Sequence, residues 1–286
     1  MKPNTKLDEG LVDNAASFTD PFFERFELRP APAPLELADG LFKTYRFPTF
    51  YADVMCAIAI FLCDYGRAAA MLPHPSMRPV RMPRGRSVVL FSCYRYRNVM
   101  NLVPYNEIAM TIPIMVGAGF APPLLPLVMD FEKKGYYVLS MPVTSLENQV
   151  RGKKIWGLPK IVEEIEISTE GEHCTTVARD DTGEAYFELS VPKSGSVKHF
   201  DETGCLYSVL HGRLLKSETN FKGDFAVTTN PSLLWRKGLP AKRPALQLGP
   251  SARADFLRDL QIEEVAFQFR YAETMNSSFD LPLESW

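Results

Sequence analysis

The chain has 286 residues, 46% hydrophobic, 12% aromatic and 23% charged, an ordinary globular composition with enough apolar material for a sizeable core. A formal net charge of -2 provides no basic field for nucleic acid or an anionic membrane, so neither is expected as a partner. Cys56, Cys63, Cys93, Cys174 and Cys205 are odd in number and widely separated, without a Cys-x-x-Cys pair or a secretory stretch, which points to a reducing cytoplasm; His74, His173, His199 and His211 lack ligand spacing, so no metal is expected.

Residues 1–40 mix polar residues with Pro30, Pro32 and Pro34 and read as an irregular arm that could wrap a neighbour, leaving 41–286 as a single domain. Asp53 to Leu62 reads as a buried strand, followed at Asp64 by a short helix through Arg67–Leu72 that Pro73 stops. The basic residues Arg78, Arg81, Arg84 and Arg86, spaced by Pro and Gly, read as an exposed loop, and Ser87 to Ser92 as another apolar strand. Ile108 to Met129 is uncharged and about as long as a bilayer helix requires. It contains Pro113, Pro122, Pro123, Pro126, Gly117 and Gly119, however, so a buried strand followed by a Pro-rich loop fits better.

Thr144-Ser-Leu-Glu147 has the capping-box pattern and predicts a short helix ending near Gly152. From Ile161 to Val191, turn signals at Glu170-Gly171 and Asp181-Thr-Gly183 separate three strand-like runs, an antiparallel meander. Ser251 can cap a short helix carrying Phe256, Leu257 and Leu260, after which Val265, Phe267 and Phe269 alternate as one face of a strand. Strands outnumber helices and are joined by turns rather than helical crossovers, which argues for an α+β fold built on a mainly antiparallel sheet.

Lys160 lies directly after Pro159 among Ile155, Trp156, Leu158, Ile161 and Val162. An ordinary lysine, with a pKa of about 10.4, carries a free amine in roughly one molecule in a few thousand at neutral pH. Desolvation disfavours the ammonium, and a neutral lysine can attack a ketone or aldehyde to form a Schiff base. Taken alone, the local sequence suits a lysine that snorkels into water as well as a desolvated nucleophile.

Tyr105-Asn106-Glu107 upstream and Gly157-Leu158-Pro159-Lys160 downstream, with the approach Tyr136–Val143 and Val150–Lys160, resemble the acetoacetate decarboxylase family over residues 47–191. The resemblance implies a closed, cone-like barrel in a homo-oligomer, a cofactor-free lyase acting on a small carbonyl compound, Lys160 as nucleophile and Glu107 as acid, base or orienter. Acetoacetate decarboxylase is a known case of lysine activation by desolvation or a neighbouring cation, so that chemistry is carried over here from the family. If 107–115 is a strand, Glu107, Ala109, Thr111 and Pro113 share a face of small residues suited to a cavity, while Ile108, Met110, Ile112 and Ile114 face a packed core. Tyr94, Tyr105 and Trp156 are candidate pocket-wall residues, and the cations Lys153 and Lys154 are placed to disfavour protonation of Lys160.

Three departures from the family pattern bear on the reaction. Ile161 replaces a second lysine, Lys153-Lys154 replaces Arg-Glu, and Val54 stands where the family has an arginine suited to a substrate carboxylate. Arg78, Arg81, Arg84, Arg95 and Arg97 are the candidates to replace that arginine. An imine at Lys160 permits decarboxylation, aldol or retro-aldol reaction, or dehydration; in a non-catalytic binding barrel, Lys160 would merely pair with Glu107.

Overall fold

In the computed structural model, which describes residues 1–117 and 134–285, four short strands precede the barrel: β1 (Arg29–Pro30), β2 (Leu35–Ala38), β3 (Leu41–Lys43) and β4 (Arg46–Phe47). The barrel itself is built from β5 (Thr49–Asp64), β7 (Arg86–Val99), β8 (Tyr105–Val116), β9 (Lys134–Val143), β14 (Ser196–Leu210), β15 (Arg213–Thr229) and β17 (Gln268–Ser285). Their hydrogen-bonded order is β9-β14-β15-β17-β5-β7-β8, and β8 pairs back onto β9 to close the ring. Every pairing in the ring is antiparallel except β9 with β14. At the margins, β6 (Met77–Pro79) pairs with β8, and β10 (Lys160–Val162) runs parallel to β9.

The expected meander forms as β11 (Glu164–Ser168), β12 (His173–Arg179) and β13 (Ala185–Pro192), joined by β16 (Leu246–Leu248) into a second antiparallel sheet. That sheet explains the strand patterning. Along β8, Ile108, Met110, Ile112 and Ile114 pack with Phe61 of β5, Phe91 of β7 and Ile165, Phe187 and Leu189 of the second sheet, so a main core lies on the outer face of the barrel wall. The alternate residues Glu107, Ala109, Thr111 and Pro113 point inward and line a cavity, as period two requires.

Helices are few. In α1 (Tyr65–Ala70), Asp64 caps the first turn by accepting from the Arg67 backbone N–H. In α2 (Leu146–Trp156), the cap is Ser145, one residue later than the capping-box spacing predicts, and its hydroxyl accepts from the Asn148 N–H. The helix also runs past Gly152 to Trp156, because it ends on Gly157 in the left-handed conformation (φ 62°). A side chain at Gly157 would meet the Val209 carbonyl at 2.5 Å, so close backbone approach selects glycine there as well. Ser251 caps the turn leading into α3 (Asp255–Asp259). Val265 and Phe267 precede the last strand, which begins at Gln268 and extends to residue 285, beyond the alternation visible in the sequence.

Arg86 corrects the expectation of an exposed basic loop. It is fully buried, and its guanidinium donates to the carbonyls of Pro83, Leu233, Leu234 and Arg236 and to Glu263. Within the arm, Phe22 and Phe23 pack on Phe50 and Met100, and Asn4 bonds through its backbone to Thr144 and Leu146 at the start of α2. The five cysteines are free thiols. No helix among the described residues is long and apolar enough to cross a membrane, and the expected Pro-rich loop at Pro122–Pro126 lies outside the described residues.

Candidate active site

Lys160 is brought to the barrel by a turn rather than by a long strand. The C-terminal glycine of α2 reverses the chain, Leu158 N–H returns to the Gly152 carbonyl, and Lys160 begins β10 opposite Met141 of β9. Its side chain then runs back along the helix. A methyl group at Gly152 would lie 2.4 Å from Lys160 Cδ, so the absence of a side chain there opens the path. The ammonium ends in the barrel interior, where Lys160 Nζ donates to Glu107 Oε2 at 2.6 Å and to Asn148 Oδ1 at 2.8 Å. Both partners are buried, as is Lys160 at 5% exposure.

Glu107 sits in β8 between Tyr94 of β7 and Val143 of β9, so its position is fixed by two ladders. Its second oxygen accepts from the Tyr96 hydroxyl at 3.3 Å. Tyr96 packs between Tyr51, Tyr94 and Tyr105, with ring centroids 4.8 to 5.3 Å apart. Burial raises the phenols, Tyr51 to about 12 and Tyr94, Tyr96 and Tyr105 well above their ordinary value, so these hydroxyls remain protonated.

Burial pulls the Lys160 pKa below its ordinary value; the Glu107 carboxylate pulls it back up, and Arg151 pushes it down. Desolvation wins, which is the direction needed for a nucleophilic amine. Lys153 and Lys154 do not contribute as expected: both are exposed, and Lys154 Nζ donates to the Glu36 carbonyl. The cation near Lys160 is Arg151, fully buried, bonded to Thr49 Oγ1 at 3.0 Å and stacked over the Tyr45 ring at 4.2 Å.

A cavity of about 520 Å³ opens from this pair up the barrel. Lys160, Glu107 and Tyr94 line it together with Tyr51, Tyr96 and Met275. Tyr105 lies behind, its ring 5.9 Å from Lys160 Nζ, and is not among the lining residues. Nor is Trp156, which packs on Phe47 and Phe279 and donates its indole N–H to the Asp280 carbonyl. None of Arg78, Arg81, Arg84, Arg95 and Arg97 lines the cavity; Arg97, for instance, pairs with Asp53 and Glu273 at the surface. The arginine that does is Arg270 of β17.

Asn148, Tyr96 and Arg270 carry little signal in the sequence. Asn148 could be found only by noticing that it lies four residues before Gly152, and hence on the helix face over which Lys160 passes. Tyr96 shares the period-two face of Tyr94, so the alternation that selects one selects the other.

The chain is thus a closed, mainly β barrel that encloses a cavity with an inward lysine-glutamate pair. The acetoacetate decarboxylase (ADC) family profile matches residues 30–222, and the chain belongs to that family. Its fold is shared by acetoacetate decarboxylase from Legionella pneumophila, with a TM-score of 0.57 and 14% identity over 84% of this chain and 88% of the other. It is shared too by MppR, an enduracididine biosynthesis enzyme solved with pyruvate, with a TM-score of 0.53 and 11% identity over 84% and 89% of the two chains. An acetoacetate decarboxylase-like enzyme from Sphingomonas wittichii RW1 gives a TM-score of 0.50 and 14% identity over 82% and 92%. Among curated proteins, none matches the chain significantly.

Proposed function

We propose that the protein is a lyase that forms a Schiff base between Lys160 and a small oxo acid or related carbonyl compound, with decarboxylation as its reaction and no cofactor. One observation carries this reading: a buried lysine, lowered in pKa by desolvation, ends in a cavity within hydrogen-bonding distance of a carboxylate. Glu107 takes the proton from the Lys160 ammonium. The free amine adds to the substrate carbonyl, Glu107 gives its proton to the carbinolamine hydroxyl so that water leaves, and the resulting iminium withdraws electrons from the neighbouring carbon. Carbon dioxide departs without the bonding pair, leaving an enamine. Glu107, reprotonated from solvent, protonates the enamine carbon, and addition of water to the iminium so formed releases the product and restores the lysine.

An aldol or dehydration reaction through the same imine is the second reading. It is favoured by the absence of an arginine on the cavity wall beside Lys160 among the described residues, where a carboxylate about to leave would be held. The structure of MppR with the condensation product of pyruvate and imidazole 4-carboxaldehyde lends it further support by analogy. In a third reading, of another class, the barrel binds a small molecule without reaction and Lys160 remains a protonated ion-pair partner. We place the protein in the cytoplasm, consistent with five free thiols, and as a homo-oligomer, consistent with exposed Phe42, Val197 and Trp235.

The test is borohydride reduction in the presence of oxo acids, β-diketones and aldehydes, read by intact mass, on the native protein and Lys160→Ala. An adduct that disappears in the variant supports the imine; no adduct with any carbonyl would move the assignment to the binding barrel.

A further inference from the structure

Besides the lysine end, the cavity has a second polar end. Arg270 and Gln268, two residues apart on β17, both face inward, and Tyr136 of β9 lines the same region. Arg270 Nε donates to Gln268 Oε1 at 2.5 Å, and the guanidinium lies 4.9 Å from the Phe200 ring centroid. Among the described residues, no carboxylate forms an ion pair with it; Glu202, the carboxylate whose field reaches it, is exposed. An inward guanidinium without an anion is costly to bury and suggests that a ligand supplies one.

The ladders place this cation well away from Lys160. The row through Glu107 runs by way of Tyr94 and Cys56 to Ala272, and Arg270 stands two residues further along β17. Three strand spacings and two residue rises separate Glu107 from Arg270 by about 16 Å along the wall. The side chains converge, leaving on the order of 10 Å between the two charged heads. Ile58, Ala109, Met275 and Phe225 line the cavity along with these heads and are apolar.

We propose that Arg270, with Gln268 and Tyr136, forms an anion-binding pole, and that the substrate is an elongated amphiphile: a carbonyl at Lys160, an apolar chain through the barrel, and a terminal carboxylate on Arg270. The carbonyl half rests on the Schiff-base reading above; the anion pole does not. A carboxylate held at Arg270 is too remote from the imine to be the group lost, so it anchors the substrate while a bond next to the imine breaks.

Two measurements separate the pole from the imine. Calorimetric titration with octanoate, which has no carbonyl for the amine to attack, should show binding to the native protein and to Lys160→Ala. Binding should weaken about 10- to 100-fold in Arg270→Gln and less in Arg270→Lys, as for loss of a hydrogen-bonded charge. Octanol should bind all four proteins alike, reporting that the cavity of each variant is folded. Undetectable octanoate binding, or a loss that follows Lys160 instead of Arg270, would overturn the pole. In borohydride trapping, a nine-carbon ω-oxo acid should lose yield in Arg270→Gln while nonanal does not; equal yields of the acid would also overturn it. Failure of both aldehydes to trap would defeat the imine and leave the octanoate result standing.

Discussion

Two buried lysine-glutamate pairs flank adjacent residues of α2. Glu147 takes both its bonds with Lys43 Nζ at 3.0 Å and a third from the Tyr45 hydroxyl at 2.6 Å, and neither Lys43 nor Glu147 lines the cavity. Asn148, the next residue, turns toward Lys160, whose carboxylate partner Glu107 has, among the described residues, only the long Tyr96 contact besides. The Lys43 pair is closed, its carboxylate saturated by fixed donors; the Lys160 pair opens onto space that a ligand can enter. Burial of a lysine with a glutamate is therefore common to both pairs. What sets the Lys160 pair apart is an unsaturated partner and a void beside the amine, the surroundings expected of a functional site.

The sharpest way to break the comparison is to remove each lysine. Lys160→Ala should end turnover and adduct formation. Lys43→Ala should keep adduct formation in the folded fraction but lose about 3 to 5 kcal/mol of stability, because Glu147 is left buried without its cation. Trapping and denaturant unfolding measure the two effects, and loss of trapping in folded Lys43→Ala would erase the distinction. Glu107→Gln should slow turnover about 100- to 10,000-fold, as for a lost proton-transfer group, with a smaller effect on imine formation. An equal loss of both would make Glu107 structural.

Gly152→Ala forces a methyl group against Lys160 Cδ, and the crowding should cost about 1 to 3 kcal/mol and reduce trapping. Wild-type trapping in that variant would show that the lysine has another route to the cavity.

The smallest effect concerns pH. Since the folded pKa of Lys160 lies below its unfolded value of about 10.4, the unfolded chain binds more protons between the two, and stability rises with pH through that window. The Lys160→Met variant should lack this rise. Trapping by the native protein should reach its plateau below the ordinary lysine range; a rate still climbing at pH 10 would mean a hydrated amine.

Much of the site could be read from strand alternation. Glu107 and its small neighbours face the cavity as the period-two pattern requires, and Gly157-Leu158-Pro159-Lys160 forms the turn that delivers the lysine. Alternation misleads at β17. Phe269 packs toward the outer core, so its polar neighbours Gln268 and Arg270 fall on the barrel's inner face. Nothing local announces this, since it is the second sheet that buries the outer wall. The hairpin of β14 and β15 escaped for a related reason: Lys198, His199, Asp201 and Glu202 are exposed along it, and the pairing with β15, rather than apolar patterning, defines the strand. Arg151, rather than Lys153 or Lys154, is the inward cation because helix phase, not sequence distance, decides which side chain turns toward Lys160.

The ring has one short seam. β9 meets β14 through two register pairs, Leu206 with Tyr136 and Tyr207 with Tyr137, whereas β14 and β15 pair along fifteen positions. Lys160 is carried by β10 on this same β9, and its partner Glu107 lies 53 residues earlier in the chain, so the pair assembles only as distant segments meet. Contacts of such separation form late and slowly during folding. Until then Lys160 is hydrated and has the ordinary lysine pKa of about 10.4, like the other lysines of the chain. On the Schiff-base reading proposed above, trapping that depends on Lys160 should appear only once this pair has assembled, so a trapping time course during refolding, compared with Lys160→Ala, would time that assembly.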